Sequence, residues 1–157
     1  MALLHQATLS PSKLELLGAW LPSRRWCDSL VGTERPEQLG AYRLDDPAGE
    51  VGIESFLLRV GDATVLHVPL TYRAAPLAGA EQHLVGEMEH SVLGHRWVYD
   101  GCGDPVWATT TARTVLTGGV QADLTIEIDG EVQHREPTAT VRGTRSEERR
   151  VGKECRL

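Results

Sequence analysis

At 157 residues, with 41% hydrophobic and 24% charged side chains, the chain has the size and composition of one globular domain able to bury a core without staples. Its net charge of −6 argues against a nonspecific nucleic-acid or anionic-membrane binder, since both need a basic surface. Three widely spaced cysteines, Cys27, Cys102 and Cys155, form neither a disulfide framework nor a zinc-ribbon pattern and read as reduced thiols; with no basic-then-apolar leader and no apolar run near the ~18 residues of a membrane span, the expected location is the cytoplasm.

Residues 10–20 are predicted helical, because Leu14, Leu17 and Leu21, joined by Leu16 and Trp20, recur at helical spacing. Two starting registers are open: Ser10 as cap with Pro11 in the first position, or Ser12 with Glu15 as a capping box. Pro22 ends the helix, and residues 27–38 are polar and irregular. A short strand is expected at 41–45, a turn at 45–49, a strand at 51–60, a two-residue hairpin turn at Gly61-Asp62 and a returning strand at 63–72. Both faces of that returning strand are fairly apolar, which places it centrally in a sheet. Pro69 cannot donate to a ladder, so it marks the strand end or a bulge. Residues 73–103 are Gly- and His-rich with some short helix, and so long a connection often carries function. Asp104 caps and Pro105 opens a helix running to about Thr117, stopped by Gly118-Gly119. Leu124–Ile128 alternates, Asp129-Gly130 is a preferred hairpin turn, and Glu131–Arg135 returns. After Pro137, residues 138–141 start another strand. Two helices and about six strands, mostly in hairpins, give an α+β fold, an antiparallel sheet covered on one face by helices.

Three segments carry a family resemblance. Ala19-Trp20-Leu21-Pro22-Ser23-Arg24-Arg25-Trp26 is similar to the opening of maltokinases, where a W-L-x-x-x-R-W element packs near the start of the cap. Val68-Pro69-Leu70-Thr71-Tyr72-Arg73 follows a strand as in stand-alone actinobacterial cap-like proteins. Gly86-Glu87-Met88-Glu89-His90-Ser91-Val92-Leu93-Gly94-His95-Arg96-Trp97-Val98-Tyr99-Asp100-Gly101 resembles the third signature of those short proteins. Over roughly residues 3–143 the chain thus resembles the maltokinase N-terminal cap-like domain family. The resemblance implies a curved, cystatin-like antiparallel sheet of about six strands packed against one or two helices, in a domain spanning residues 1–143. In full-length maltokinases such a cap precedes a two-lobed, kinase-like core that phosphorylates maltose with ATP. This sequence has no Gly-rich phosphate loop, no G-x-x-x-x-G-K and no H-x-D or D-F-G-like element. No catalytic residue carries over, and no cofactor is expected for the chain itself; ATP and Mg²⁺ enter only as part of a longer kinase. The resemblance therefore implies a non-catalytic binding or accessory domain tied to α-glucan, trehalose and maltose metabolism. Its expected partner is a sugar-metabolising enzyme or kinase core, with no nucleic acid and no membrane. The alternative is the N-terminal fragment of a maltokinase or amino-sugar kinase whose core is missing.

The run Arg145-Ser146-Glu147-Glu148-Arg149-Arg150-Val151-Gly152-Lys153-Glu154-Cys155-Arg156 closely resembles a translated sequencing-adapter artefact. Residues 142–157 carry net +3 and residues 1–141 net −9, an abrupt change that fits such a junction. Residues 144–157 are expected to be an artefactual or disordered tail, with the domain truncated on that side.

Among candidate functional residues, Arg24, Arg25 and Trp26 are of types that stack on or clamp a ligand; alternatively Trp20 and Trp26 anchor the helix to the sheet. Arg96, Trp97, Tyr99 and Asp100 form a candidate interaction surface, joined by His90; alternatively Trp97 and Tyr99 are core. His90, His95, Glu89, Asp100 and Cys102 are permitted zinc ligands but match no closed spacing, so no metal site is assigned. Asp45, Asp46, Glu50 and Glu54 form an acidic patch or a merely solvated turn. Cys102 would need His90 or His95 as a base to act as a nucleophile. A curved sheet can shape a concave ligand pocket, although no apolar pocket pattern is evident.

Overall fold

A computed structural model describes residues 2–4, 7–27, 36–60, 64–128 and 131–144. The elements in chain order are β1 (Ala2–Leu4), β2 (Leu9–Ser10), α1 (Lys13–Trp20), β3 (Glu37–Leu44), β4 (Gly52–Val60), β5 (Thr64–Arg73), β6 (Leu84–His90), β7 (Gly94–Asp100), α2 (Pro105–Thr117), β8 (Leu124–Ile128) and β9 (Glu131–Arg135). Short 3-10 turns lie at Leu21–Ser23, Glu81–His83 and Gly101–Gly103. Six strands form a curled antiparallel sheet in the order β2-β6-β7-β5-β4-β3. β1, β8 and β9 form a second sheet in which β1 runs parallel to β8. The fold is α+β, as the sequence implies.

Capping selects between the two helix registers. Ser12 Oγ accepts from the Glu15 N–H at 3.3 Å, and Glu15 Oε2 accepts from the Ser12 N–H at 2.8 Å. This reciprocal pair satisfies backbone donors that the first turn leaves without helical partners. Ser10 lies instead in β2, opposite Glu89. At α2, the Asp104 side chain accepts from the Val106 N–H at 2.9 Å, Pro105 takes the first position, and Gly118, at φ 69°, ends the helix in the left-handed region.

The pleat of β4 and β5 divides the core in two. Phe56, Leu58 and Val60 on β4, with Leu66, Val68 and Leu70 on β5, point to one side. There they meet Leu17, Trp20, Leu21 and Cys27 from α1 and its following segment, and Met88 and Val98 from β6 and β7. Ile53 has the opposite parity and clusters with Leu44 and Val51; Val106 and Trp107 of α2 pack against that group. The helices therefore cover opposite faces, where the sequence reading placed them on one. Gly86 lets α1 approach β6 closely, since a Cβ there would lie 2.7 Å from Leu16 Cδ2.

Three further differences have physical causes. The run 73–103 is not a long loop: it holds the β6–β7 hairpin, which adds Met88 and Val98 to the core beneath α1. Residues 138–141 form no strand and instead run along the outer edge of β3. The Ala41 N–H donates to Thr138 Oγ1 at 2.8 Å, the Ala41 carbonyl accepts from the Ala139 N–H at 3.1 Å, and the Arg43 carbonyl accepts from the Ala122 N–H at 2.8 Å. Pro69 stands inside β5 opposite Ser55, one position before β7 joins at Leu70. It marks where β5 changes from one neighbour to two, so its missing donor is tolerated. The turns expected at Gly61-Asp62 and Asp129-Gly130, and residues 145–157, lie outside the described residues.

Leu17 is fully buried against the sheet, whereas Leu14 is 39% exposed. Leu17→Ala should lower the unfolding free energy by about 3 kcal/mol in urea denaturation. Leu14→Ala should stay within about 0.5 kcal/mol. Equal losses at the two positions would contradict this placement of α1.

Candidate functional site

The aromatic and basic segment after α1 fastens the chain to itself. Trp20 is buried and Trp26 is half exposed, with ring centroids 6.0 Å apart in an edge-to-face contact. The Arg24 guanidinium lies 5.1 Å from the Trp20 ring centre and donates to Ser23 Oγ at 3.1 and 2.9 Å. Arg25 and the outer part of Trp26 remain at the surface.

Strand alternation separates the residues singled out on β7. Arg96 stands opposite Met88, on the face that α1 covers in part. Trp97 and Tyr99 stand opposite Arg73 and Thr71, on the α2 face. Tyr99 is buried, and its hydroxyl accepts from the Leu77 N–H at 2.9 Å, which makes it a core residue. Asp100 accepts from the Cys102 N–H at 3.0 Å and caps the 3-10 turn. His90 Nδ1 accepts from the Val92 and Leu93 N–H groups at 3.2 and 3.1 Å, holding the hairpin turn.

His95 lies across the pleat from His90, bonded to Glu89 at 2.6 Å and Glu87 at 2.9 Å. Those bonds, Glu89 first, raise its pKa above the ordinary histidine value. Among the described residues no three His, Cys, Asp or Glu side chains gather to hold a metal. Burial, with Asp100 beside it, pushes the Cys102 thiol up to about 11, the opposite of what an activated thiolate requires.

Two buried carboxylates organise the interior. Asp104 is 1% exposed. Its oxygens accept from Thr71 Oγ1 at 2.7 Å, from Arg73 Nε and Nη2 at 2.7 Å each, and from the Val106 N–H at 2.9 Å. Burial pushes this carboxyl's pKa up, but the Arg73 and Thr71 bonds outweigh it and hold the pKa below the ordinary 3.8. Glu54, on the α1 face, accepts from Lys13 Nζ at 2.5 Å and from the Tyr72 hydroxyl at 3.1 Å, with Arg43 Nη2 at 3.5 Å. Here too burial opposes ionisation and is overcome, by the Arg43 and Lys13 charges and the two hydrogen bonds. Burial in turn lowers the Lys13 pKa and raises that of Tyr72 well above its usual value. A charge within an apolar strand was the available sequence signal for Glu54, which the acidic-patch reading grouped with the exposed turn.

Beside this network, at the end of the sheet that α1 does not cover, lies a groove of about 530 Å³. Lys13, Arg43, Tyr72, Met88, His90 and Arg96 line its inner part, and the turn from Asp45 to Val51 forms one wall. It gathers two of the sequence candidates, His90 and Arg96, and excludes Arg24, Arg25, Trp26, Trp97, Tyr99 and Asp100. The acidic turn belongs to its rim. There Asp46 accepts from the Ala48, Glu50 and Val51 N–H groups at 3.0, 3.0 and 2.9 Å.

The chain matches the family model of the maltokinase N-terminal cap domain over residues 20–104, from the end of α1 to the cap of α2. It belongs to that family. No curated protein and no solved structure matches it. Among the described residues no helix is long and apolar enough to cross a membrane.

The lowered Asp104 pKa sets a pH dependence. Above pH 3.8 the carboxyl is ionised both folded and unfolded, and its contribution is complete. As the pH drops below 3.8 the unfolded chain takes up the proton first, and the contribution is lost as pH falls through the lower folded value. Asp104→Asn should remove about 3 kcal/mol at neutral pH by leaving Arg73 without its counter-ion. It should also make the acid limb of urea-unfolding stability shallower below pH 3.8. An unchanged limb would show that the pH dependence arises elsewhere.

Proposed function

We propose, from that family membership, that this domain works as a non-catalytic cap beside the catalytic core of a sugar kinase, in cytoplasmic α-glucan, trehalose or maltose metabolism. The observation that carries the reading is the match to a maltokinase cap over residues 20–104. The chemistry of the interior supports it. Glu54 and Asp104, the buried carboxylates, are each neutralised by cations of the same domain, an arrangement suited to holding helices to a sheet. Phosphoryl transfer needs metal-binding carboxylates and cationic clamps on a nucleotide. In this reading those groups, with ATP and Mg²⁺, belong to the partner core and not to the cap.

A second reading, the N-terminal segment of a maltokinase or amino-sugar kinase, draws on the adapter-like run at 145–156. Resequencing the genomic locus across the codon for Gly143 separates the two. A frame continuing into phosphate-loop and metal-binding motifs selects the kinase segment, and a short extension selects the accessory protein.

The cap role itself is tested with the purified chain, ATP, Mg²⁺ and maltose. No sugar phosphate should form above the protein-free rate. A maltokinase core lacking its own cap should raise the melting temperature of the chain when added. Phosphate transfer by the chain alone would overturn the proposal.

A further inference from the structure

The second sheet ends on an open strand. β9 pairs with β8 on one side, and no described strand lies on the other. All five of its residues are exposed, Val132 at 61%. Of the other sheet edges, β1 and β2 have only three and two residues, and the outer side of β3 is met in part by residues 122, 138 and 139. An unpaired row of N–H and C=O groups is a template for a further strand.

The register against β8 decides which groups of β9 are free. Ile128 pairs with Glu131 across a two-residue connection, so these residues form the closing hydrogen-bonded pair of a hairpin. Bonded and non-bonded pairs alternate along an antiparallel ladder. Glu131, Gln133 and Arg135 therefore turn their backbone groups to β8, and Val132 and His134 turn theirs outward.

The side chains select the strand that fits there. Laid antiparallel on itself about Gln133, β9 sets Val132 opposite His134 of the second copy and His134 opposite Val132, each pair exchanging both backbone bonds. Glu131 then stands opposite Arg135 of the second copy, and Arg135 opposite Glu131. Neither side chain has a hydrogen bond or an ion pair among the described residues, so both charges are available. Pro137, which cannot donate to a ladder, ends the segment just beyond. The neighbouring registers that also match the outward backbone groups are poorer. Centring on His134 sets that residue against itself and Glu131 against Pro137. Centring on Val132 pairs only residues 131–133 and sets Glu131 against Gln133. Only the register about Gln133 places unlike charges opposite each other, and directly opposed charges of unlike sign stabilise a strand pair.

We propose that β9 pairs with β9 of a second copy of this chain, antiparallel about a two-fold axis at Gln133, in a register fixed by the two reciprocal Glu131–Arg135 pairs. One short strand from each copy makes a smaller interface than those of stable dimers, so the dimer is transient and forms at high protein concentration. The inference goes beyond the cap role and does not depend on it, because it concerns the chain with itself.

Sedimentation equilibrium of the full chain over a rising concentration series should show a monomer–dimer equilibrium. Arg135→Glu and Glu131→Arg each turn two attractive pairs into two repulsive ones and should weaken dimerisation by roughly tenfold or more. Both residues are exposed, so neither change should impair folding. Mixed in equal amounts, the two variants should dimerise again, because each meets its opposite charge in the other. Val132→Pro removes an outward N–H and should abolish the dimer while the far-UV circular dichroism stays unchanged. Hydrogen exchange at the Val132 and His134 amides should slow as the protein concentration rises. A chain that stays monomeric throughout the series would overturn the proposal, as would association that the single swaps leave intact or that the mixture fails to restore. Protection of the Val132 and His134 amides only on addition of a kinase core would also overturn it, making this edge a docking strand for that partner.

Discussion

Burying a carboxylate is tolerable only where protein groups replace the water it gives up. Asp104 is held in this way by Thr71 and Arg73 from the middle of the main sheet and by the first turn of the helix it caps. One side chain therefore fixes both where α2 begins and which face of β5 it enters against. Val106 and Trp107 follow directly and reach the cluster of Leu44, Val51 and Ile53. The 3-10 turn that brings the chain from β7 to Asp104 is held by the same constraint, since its closing bond runs from the Asp104 N–H to the Gly101 carbonyl.

The opposite face uses the same device with the charges exchanged. There the strand supplies the acid, Glu54, and the helix supplies the base, Lys13, in its first turn. Shifting either helix by one turn would leave a buried charge without its counter-ion, which is more costly than the loss of apolar contact alone. These pairs thus act on register as well as on stability. Because Lys13 holds the start of α1 at β4, the helix runs over the Phe56–Val60 half of that strand and leaves the end near Gly52 to form the groove.

Much of this architecture is legible in the sequence where local chemistry decides it. Ser12 with Glu15, Asp104-Pro105 with Gly118, and the alternation of Leu124, Ile126 and Ile128 each name their element, because the interactions lie within a few residues. The β6–β7 hairpin is not legible in the same way. Its inward positions include Gly86, Met88 and His90 and its outward ones Glu87, Glu89 and His95, so a period of two is present but is written in residues of low strand preference. The same period explains why Arg96, Trp97, Tyr99 and Asp100, adjacent in sequence, do not make one surface. The groove draws on segments from Ala7 to Arg96, and Arg43 acquires its role only when β3, β4 and α1 are assembled. Residues 138–141 read as a strand because Thr and Val favour one, but only the Ala139 N–H bonds the β3 backbone, while Thr138 uses its hydroxyl and the Val141 N–H donates to the Gln121 side chain, so no ladder forms.

That edge cover has a kinetic consequence. The bonds between Ala41 and Thr138 span 97 residues, whereas β4–β5, β6–β7 and β8–β9 each join neighbours along the chain. Closing such a loop is entropically demanding, and contacts of long sequence separation slow folding. On a ribosome the three hairpins can form as they emerge, but the outer side of β3 stays open until residue 139 has left the tunnel. During that interval the amide and carbonyl groups of Ala41 lack the cover that residues 138 and 139 supply, and this part of the sheet edge is open to other chains.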